Sequence, residues 1–280
     1  MQMLREEKIK MLQGHAKEIR KTLLTMIYKA QSGHPGGSLS SADIMAALYF
    51  DELKVDPRNP KWEQRDRFVL SKGHVCPVLY TCLALRGFFP KEEIDNLRKF
   101  GSILQGHPDM KRTPGVDIST GSLGQGISCA VGMAIANKRD KNTGRVFCLV
   151  GDGETNEGQV WESIQVAVKY GLDNLIVFAD NNGLQNDGTC EEIMPTQDLY
   201  KKFEAFGCRT YAIDGHDMAQ IVDVLDTIRR GEKGKPHVVV AKTVKGKGVS
   251  FMENVVKWHG LAPNEQEYNT ALKEIEEGLQ

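Results

Sequence analysis

Between residues 145 and 188 the chain changes its hydrophobic period twice. Arg145 to Val150 is a short apolar run that stops at Gly151, and Asn174 to Ala179 is a second, rich in β-branched residues. Runs of this length, bounded by glycine and polar residues, read as buried strands. Between them Val160, Ile164 and Ala167/Val168 recur at helical spacing and give one buried stripe. The stripe ends at Tyr170, with Gly171 placed as the residue after a helix C-cap. Strands joined by a helical crossover should be parallel and right-handed, so the loops after both leave the same edge of the sheet.

The same alternation runs through the rest of the chain. Residues 5 to 30 read as a helix with Ile19, Leu23 and Ile27 on one face, broken at Gly33 in SGHPGG. Ser40 and Asp43 fit a capping box for a helix SADIMAALYFDEL. A polar connection with Pro57 and Pro60 leads to a strand Arg67 to Leu70, the loop Ser71 to His74, and an apolar helix through Leu85. Pro90 opens a third helix, PKEEIDNLRKF, and residues 101 to 123 form a long irregular stretch of the kind that carries function. Gly124-Gln-Gly126 begins a small-residue helix suited to close packing against a sheet or a second protein chain. Then come a helix near 196–206, a strand Arg209 to Ile213, a helix at 218–230 and a strand His237 to Lys242. The fold class expected is α/β, a doubly wound, mostly parallel sheet with helices on both faces.

Length and composition narrow the picture. A chain of 280 residues can bury roughly three quarters of its unfolded surface, so a single domain over 1–280 is expected. A formal net charge of −1, spread along the chain, does not indicate a nucleic-acid-binding face. No apolar run reaches the roughly eighteen residues of a membrane span, and MQMLREEKIKMLQG lacks the apolar core of a signal peptide. The six cysteines form no C-x-x-C pair. They read as buried thiols of a reducing compartment, and a cytoplasmic location is expected.

The chemistry gathers at strand exits. Asp152 stands at the first, and Asn182 and the Leu184 carbonyl at the second. A carboxylate, an amide oxygen and a backbone carbonyl are hard ligands that leave positions open on an octahedral ion. Mg²⁺ prefers this when it also holds phosphate oxygens and water, with Ca²⁺ or Mn²⁺ as substitutes. Gly153 and the following helix N-terminus offer N–H groups to the same anion. Rival motifs fail on spacing. A dinucleotide fingerprint would need glycine at Asn156. A Walker A loop needs Gly-Lys-Ser/Thr. An EF-hand would need glycine at Glu157 and glutamate at Ser163. An ordinary βαβ unit accounts for Gly-Asp-Gly alone; Asn182-Asn-Gly one unit later points beyond it. Four of the seven histidines also lie in glycine-rich or strand-exit contexts: His34, His74, His107 and His259. Histidine can donate to phosphate or exchange a proton near neutral pH. His15, His216 and His237 receive no role.

Gly-Asp-Gly followed about thirty residues later by Asn-Asn looks like the thiamine-diphosphate motif, and GDGETNEGQVWE is very similar to transketolases. SGHPG, LSKGH, QGHP, TGSLGQG, DNN and KWHG occur in that family's order, and the resemblance covers about residues 15 to 262. It implies a thiamine-diphosphate-binding fold in which His34, His107 and His259 line the sugar channel. It further implies that His74, Gly153 and His259 contact the cofactor diphosphate. Gly121, Ser122 and Leu123 would lie against the cofactor rings, and Asp152, Asn182 and the Leu184 carbonyl would hold the metal. Glu157 and Glu162 match glutamates at the subunit interface; a helix N-terminus that favours acidic residues explains them equally.

Transketolases of full length exceed twice this length. The pyrimidine-binding domain, with the glutamate that activates the cofactor, and the C-terminal domain are expected on a partner chain. The resemblance is therefore to the N-terminal subunit of a split transketolase, in a two plus two assembly acting on sugar phosphates of the pentose phosphate pathway. Two alternatives stay open at this point: a split transketolase for a branched sugar phosphate such as apulose 4-phosphate, and a non-catalytic cofactor-binding remnant. Deoxyxylulose-phosphate synthases and the E1α chains of 2-oxo acid dehydrogenases are less similar.

Overall fold

A computed structural model describes residues 4–231 and 233–278. Helix α1 (Arg5–Ala30) buries Leu12, Ile19, Leu23 and Ile27 on one stripe and ends where Gln31 turns left-handed. The next segment departs from the sequence reading. Helix α2 (Pro35–Ser40) starts earlier, with Pro35 in its first turn, and α3 (Ala42–Ala47) runs into a π turn at Leu48–Glu52. No capping box forms at Ser40 and Asp43. The segment is buried, so its polar groups seek distant partners instead: Ser40 Oγ donates to Asp180 Oδ2 at 2.6 Å, and Asp43 pairs with Arg20.

Strand β1 (Arg67–Leu70) and helix α4 (Cys76–Arg86) follow. Pro90 opens only a 3₁₀ turn, Lys91–Asn96, because Leu97 turns extended and Arg98 left-handed before an apolar stripe can build. Helix α5 (Gln125–Arg139) precedes the central unit β2 (Val146–Gly151), α6 (Gly158–Lys169) and β3 (Leu175–Asn181). Gly171 is left-handed after α6, as its position in the sequence implies. Short helices α7 (Cys190–Ile193) and α8 (Leu199–Ala205) lead to β4 (Arg209–Asp214), α9 (Met218–Arg230) and β5 (His237–Lys242). A last helix, α10 (Glu265–Glu277), was not anticipated. Its signals were present: Asn264 and Glu267 form a capping box, and Ala271 and Ile275 share one face.

The sheet is parallel throughout, in the order β1-β2-β3-β5-β4. Alternate residues of its central strands feed two cores. Phe147, Leu149, Ile176, Phe178 and Val239 meet residues of α1, α3, α4 and α9. Val146, Cys148, Val177, Ala179 and Val238 meet those of α5, α6 and α8. Period-two alternation between two apolar faces accounts for the unbroken hydrophobic runs of β2 and β3. Because every pair is parallel, the segments after β1, β2, β3 and β5 leave one edge together, and Gly151 stands opposite Asp180 in the register. Among the described residues no helix is long and apolar enough to cross a membrane. All six cysteines are free thiols, with Cys129 alone not fully buried.

Candidate active site

Two buried carboxylates fasten the strand exits. Glu154 Oε1 accepts from Ser71 Oγ at 2.5 Å and Gly124 N at 2.9 Å, and its Oε2 from Gly151 N at 3.0 Å. One side chain thus joins the exits of β1 and β2 to the loop before α5. Asp180 accepts from Ser40, Lys72, Thr243 and, at 3.2 Å, Asn182 Nδ2. Burial works against its charge, but the Lys72 ammonium and these donors hold its pKa below the ordinary carboxylate range. Close approach does the rest. A Cβ on Gly73 would meet Thr120 Oγ1 at 2.7 Å and Gly121 N at 2.9 Å, so the 120–123 loop can lie on the loop after β1 only because residue 73 is glycine.

On this frame Asp152 Oδ1 accepts from Gly153 N at 2.7 Å, and Oδ2 from Gly183 N at 2.6 Å. The second bond ties the exit of β2 directly to that of β3. Asn182 is held at both ends of its amide, with Nδ2 on Asp180 and Oδ1 accepting from Leu184 N at 3.1 Å. The Leu184 carbonyl accepts from Lys245 Nζ at 3.1 Å, so it is aimed where a cation can reach it. Burial, and then the neighbouring Asp180 charge, push the Asp152 carboxyl up to about 6.

The rings of His34, His74 and His259 meet at the same edge. Their centroids lie 5.1 Å (His34–His74), 5.4 Å (His34–His259) and 5.2 Å (His74–His259) apart. His259 Nδ1 accepts from Lys245 Nζ at 2.8 Å. Burial, reinforced by Lys72, lowers His74 to about 2; burial and Lys245 lower His259 to about 3; burial and Arg98 lower His34 to about 4. His107 is lowered by the same two causes as His34. All four rings are neutral near pH 7, and each keeps one donor and one acceptor.

A cavity of about 420 Å³ opens between these groups, lined among others by Lys72, His74, Leu123, Asp152, Gly153, Asn182, Leu184, Lys245 and His259. Of the residues singled out from sequence, His34 reaches this wall through its ring contacts. His107 lies behind Gly121, where an added Cβ would meet its ring at 3.1 Å. Gly121 and Ser122 do not line the cavity. Glu157 borders it, while Glu162 is exposed along α6. Lys72, Glu154, Asp180, Lys245 and Arg98 were not anticipated. The signal for Lys72 and Asp180 was a charged residue at the end of an apolar strand. For Arg98 no local signal existed.

The cavity's chemistry fits thiamine diphosphate with a divalent cation. Oxygen donors line the cavity: Asp152, the Asn182 amide and the Leu184 carbonyl. Ammonium groups and ring nitrogens (Lys72, Lys245, His74, His259) line it too, with Lys245 Nζ already on the Leu184 carbonyl. A metal–diphosphate pair needs both, because the cation neutralises the carboxylate and the phosphates take the remaining donors.

A parallel sheet with a cofactor-sized, phosphate-suited cavity at its carboxyl edge defines a class of α/β cofactor-binding proteins. Comparison gives the family. Residues 12–276 match the model described as transketolase, thiamine diphosphate binding domain, and the chain belongs to that family. It is 46% identical over 265 residues to the 6-deoxy-6-sulfo-D-fructose transketolase subunit SqwG of Clostridium sp., covering 95% of this chain and 96% of that one. It is 42% identical over 272 residues to an apulose-4-phosphate transketolase subunit of Phocaeicola vulgatus, covering 97% and 96%. The crystal structure of Campylobacter jejuni transketolase superposes with a TM-score of 0.89 at 36% identity. That match covers 95% of this chain and 43% of the other.

Proposed function

We propose that this chain is the thiamine-diphosphate-binding subunit of a two-chain transketolase, which moves a two-carbon glycolaldehyde unit from a ketose phosphate to an aldose phosphate. The observation that carries this reading is the cavity, lined by metal-suited oxygens together with cationic and imidazole nitrogens. Asp152, Asn182 and the Leu184 carbonyl would hold Mg²⁺, or Ca²⁺ or Mn²⁺ in its place. Gly153, His74 and His259 would take the diphosphate, and Gly121 to Leu123 would lie along the rings. Bound there, thiamine diphosphate supplies the carbanion-stabilising chemistry that cleaves the bond beside a ketose carbonyl.

The protein's own residues orient, donate and move protons. His34, His107 and His259 would line the sugar channel, where a neutral imidazole can donate to a hydroxyl or, where its second nitrogen is free, accept a proton from one. The His34, His74 and His259 rings are half-buried against one another, which would limit the water competing for those hydrogen bonds. Two relatives of nearly equal length bear subunit names, which supports a partner chain that carries the pyrimidine-binding domain, in a two plus two assembly. Glu157 and Glu162 would face that contact. The six free thiols support a cytoplasmic setting.

The test is a coupled assay of the purified chain with and without the partner, over linear, branched and sulfonated ketose donors. Activity should appear only with the partner and saturate at about one to one, as expected when each site is built from both chains. Full turnover by this polypeptide alone, with mass spectrometry excluding a co-purified partner, would overturn the two-chain reading. No activity on any ketose, despite a bound cofactor and partner, would overturn the reaction.

A further inference from the structure

Arg98 is held in an unusual way. It is one of few non-glycine residues with positive φ, at 61°, a conformation that costs energy and persists only where the surroundings enforce it. Its backbone N–H donates to the Leu104 carbonyl at 2.7 Å, which pins the turn that ends the Lys91–Asn96 segment. From that turn the guanidinium reaches two other loops. Nη1 donates to Ser32 Oγ at 2.7 Å. Nη2 lies 3.5 Å from both His34 Nδ1 and the Gly106 carbonyl. Nε is buried without a partner and rests against Gly106, where a Cβ would come within 3.1 Å of it. A fold that keeps a strained backbone and an unpartnered Nε–H in order to lay a guanidinium between two histidine loops is using it there.

We propose that Arg98 is a positioning residue of the donor-sugar channel, clamping the loop that carries His34 to the loop that carries His107 and fixing the tautomer of His34. The chemistry of the pair sets the tautomer. Arginine only donates, so the Nδ1 it faces must present its lone pair, and the ring proton sits on Nε2. That edge lies beside the loop of His259, 3.6 Å from where a Cβ on Gly260 would stand. His34 therefore offers an N–H toward the site and not an acceptor. The titratable groups facing His34 are Arg98, Lys245 and the neutral His107, with the neutral rings of His74 and His259 packed on it. After burial, Arg98 is the largest influence keeping His34 unprotonated.

The role rests on the transketolase reading for its sugar, but one arm of the test does not. Histidine tautomers and protonation are read by ¹⁵N NMR on the chain alone, with the His34 signals assigned through His34→Asn. Wild type should show the Nε2–H form of His34 with a titration midpoint far below that of an ordinary histidine. In Arg98→Met the tautomers should mix and the midpoint should rise. In Arg98→Lys, which keeps the charge and loses the fork, the midpoint should stay low while the tautomers mix. In the partner-reconstituted enzyme Arg98→Met should lower kcat/KM for the donor by about 10²-fold, the scale of a misplaced reacting group, at unchanged thiamine diphosphate affinity. Gly106→Ala, which leaves Arg98 in place and crowds it, should give a smaller loss of the same kind. Tautomer signals that do not change in Arg98→Met would overturn the proposal, as would a loss of cofactor affinity in parallel with activity. An NMR change in a protein that shows no ketose activity would uphold the positioning role and fail only the reaction.

Discussion

Asp152 shows how one side chain serves two structures at once. Each of its oxygens accepts one backbone N–H, from Gly153 and Gly183, and a carboxylate oxygen has a second lone pair left for a cation. Asp152→Ala should leave the fold intact, because the strand pairing beneath it is complete. Metal-dependent thiamine diphosphate affinity should fall by about 100-fold or more, since even supporting groups of a metal site cost about 10–100-fold. Calorimetry finding wild-type affinity at saturating Mg²⁺ would falsify the metal assignment. The histidines should separate by position. His74 is in the cavity wall and His107 lies behind Gly121, so His74→Ala should chiefly weaken cofactor binding. His107→Ala should chiefly slow turnover or raise the donor KM, by about 10²–10⁴-fold if it moves a proton. The same loss of cofactor affinity in both variants, and nothing else, would remove the division.

At the level of elements, Asp43 links four segments. Arg20 of α1 pairs with it, and His216, after β4, lies 2.7 Å from its Oδ2. His216 Nε2 in turn accepts from Val244 N, beyond β5, at 2.8 Å. Burial alone would raise this carboxyl, but Arg20 and His216 hold it down to about 2. A depressed carboxylate stabilises the fold above its unfolded pKa, and that stability is lost as pH falls through the folded value. The pair should therefore weaken between about pH 4 and pH 2, to the extent of about 2 kcal/mol. Asp43→Asn should cost about 3 kcal/mol at neutral pH, because it leaves Arg20 buried without its partner. In that variant the pH 4 to 2 limb of a denaturation series should flatten; an unaltered limb would show that other carboxylates carry it. Such long-range ties mark the limit of what was legible in the chain. α1, α9 and the strands β1, β3 and β5 could be read because a periodic apolar stripe is a local signal. Ser40 and Asp43 looked like a capping box because their spacing is local too, yet their partners, Asp180 and Arg20, are distant in sequence. The same holds for the site. Asp152, Asn182 and the histidines stood out in glycine-rich strand exits, whereas Glu154 and Asp180 lie beneath them, and only the fold brings Ser71 and Gly124 to the one and Ser40, Lys72 and Thr243 to the other. The 3₁₀ turn after Pro90 escaped because what stops it is the left-handed backbone of Arg98.

Taken as a whole, the molecule closes on itself through α10, which returns across α1. The Tyr268 and Tyr28 rings stack at 4.2 Å, the Tyr268 hydroxyl lies 2.9 Å from Thr25 Oγ1, and Glu276 pairs with Lys17 and Lys21. Glu274 accepts from Ser250 N at 2.6 Å and Ser250 Oγ at 2.7 Å. Between β5 and α10 runs the irregular segment that contributes Lys245 and His259 to the cavity. Its start is fixed by the sheet, and its far end by the buried Trp258, by Gln31 Nε2 on the Pro263 carbonyl and by the docking of α10. Loosening that dock should therefore be felt at the site, although no atom of α10 lines the cavity. Tyr268→Ala removes the ring and the hydroxyl contact and should cost about 2 kcal/mol, a fall in Tm of about 3–4 °C for a chain of this size. Thiamine diphosphate affinity should weaken with it, by less than in a His259→Ala variant, while Tyr268→Phe, which keeps the stack, should stay close to wild type in both respects. Thermal melts and calorimetry on the three variants decide the matter. A lowered Tm with wild-type cofactor affinity in Tyr268→Ala would mean that α10 stabilises the fold without holding the His259 segment in place.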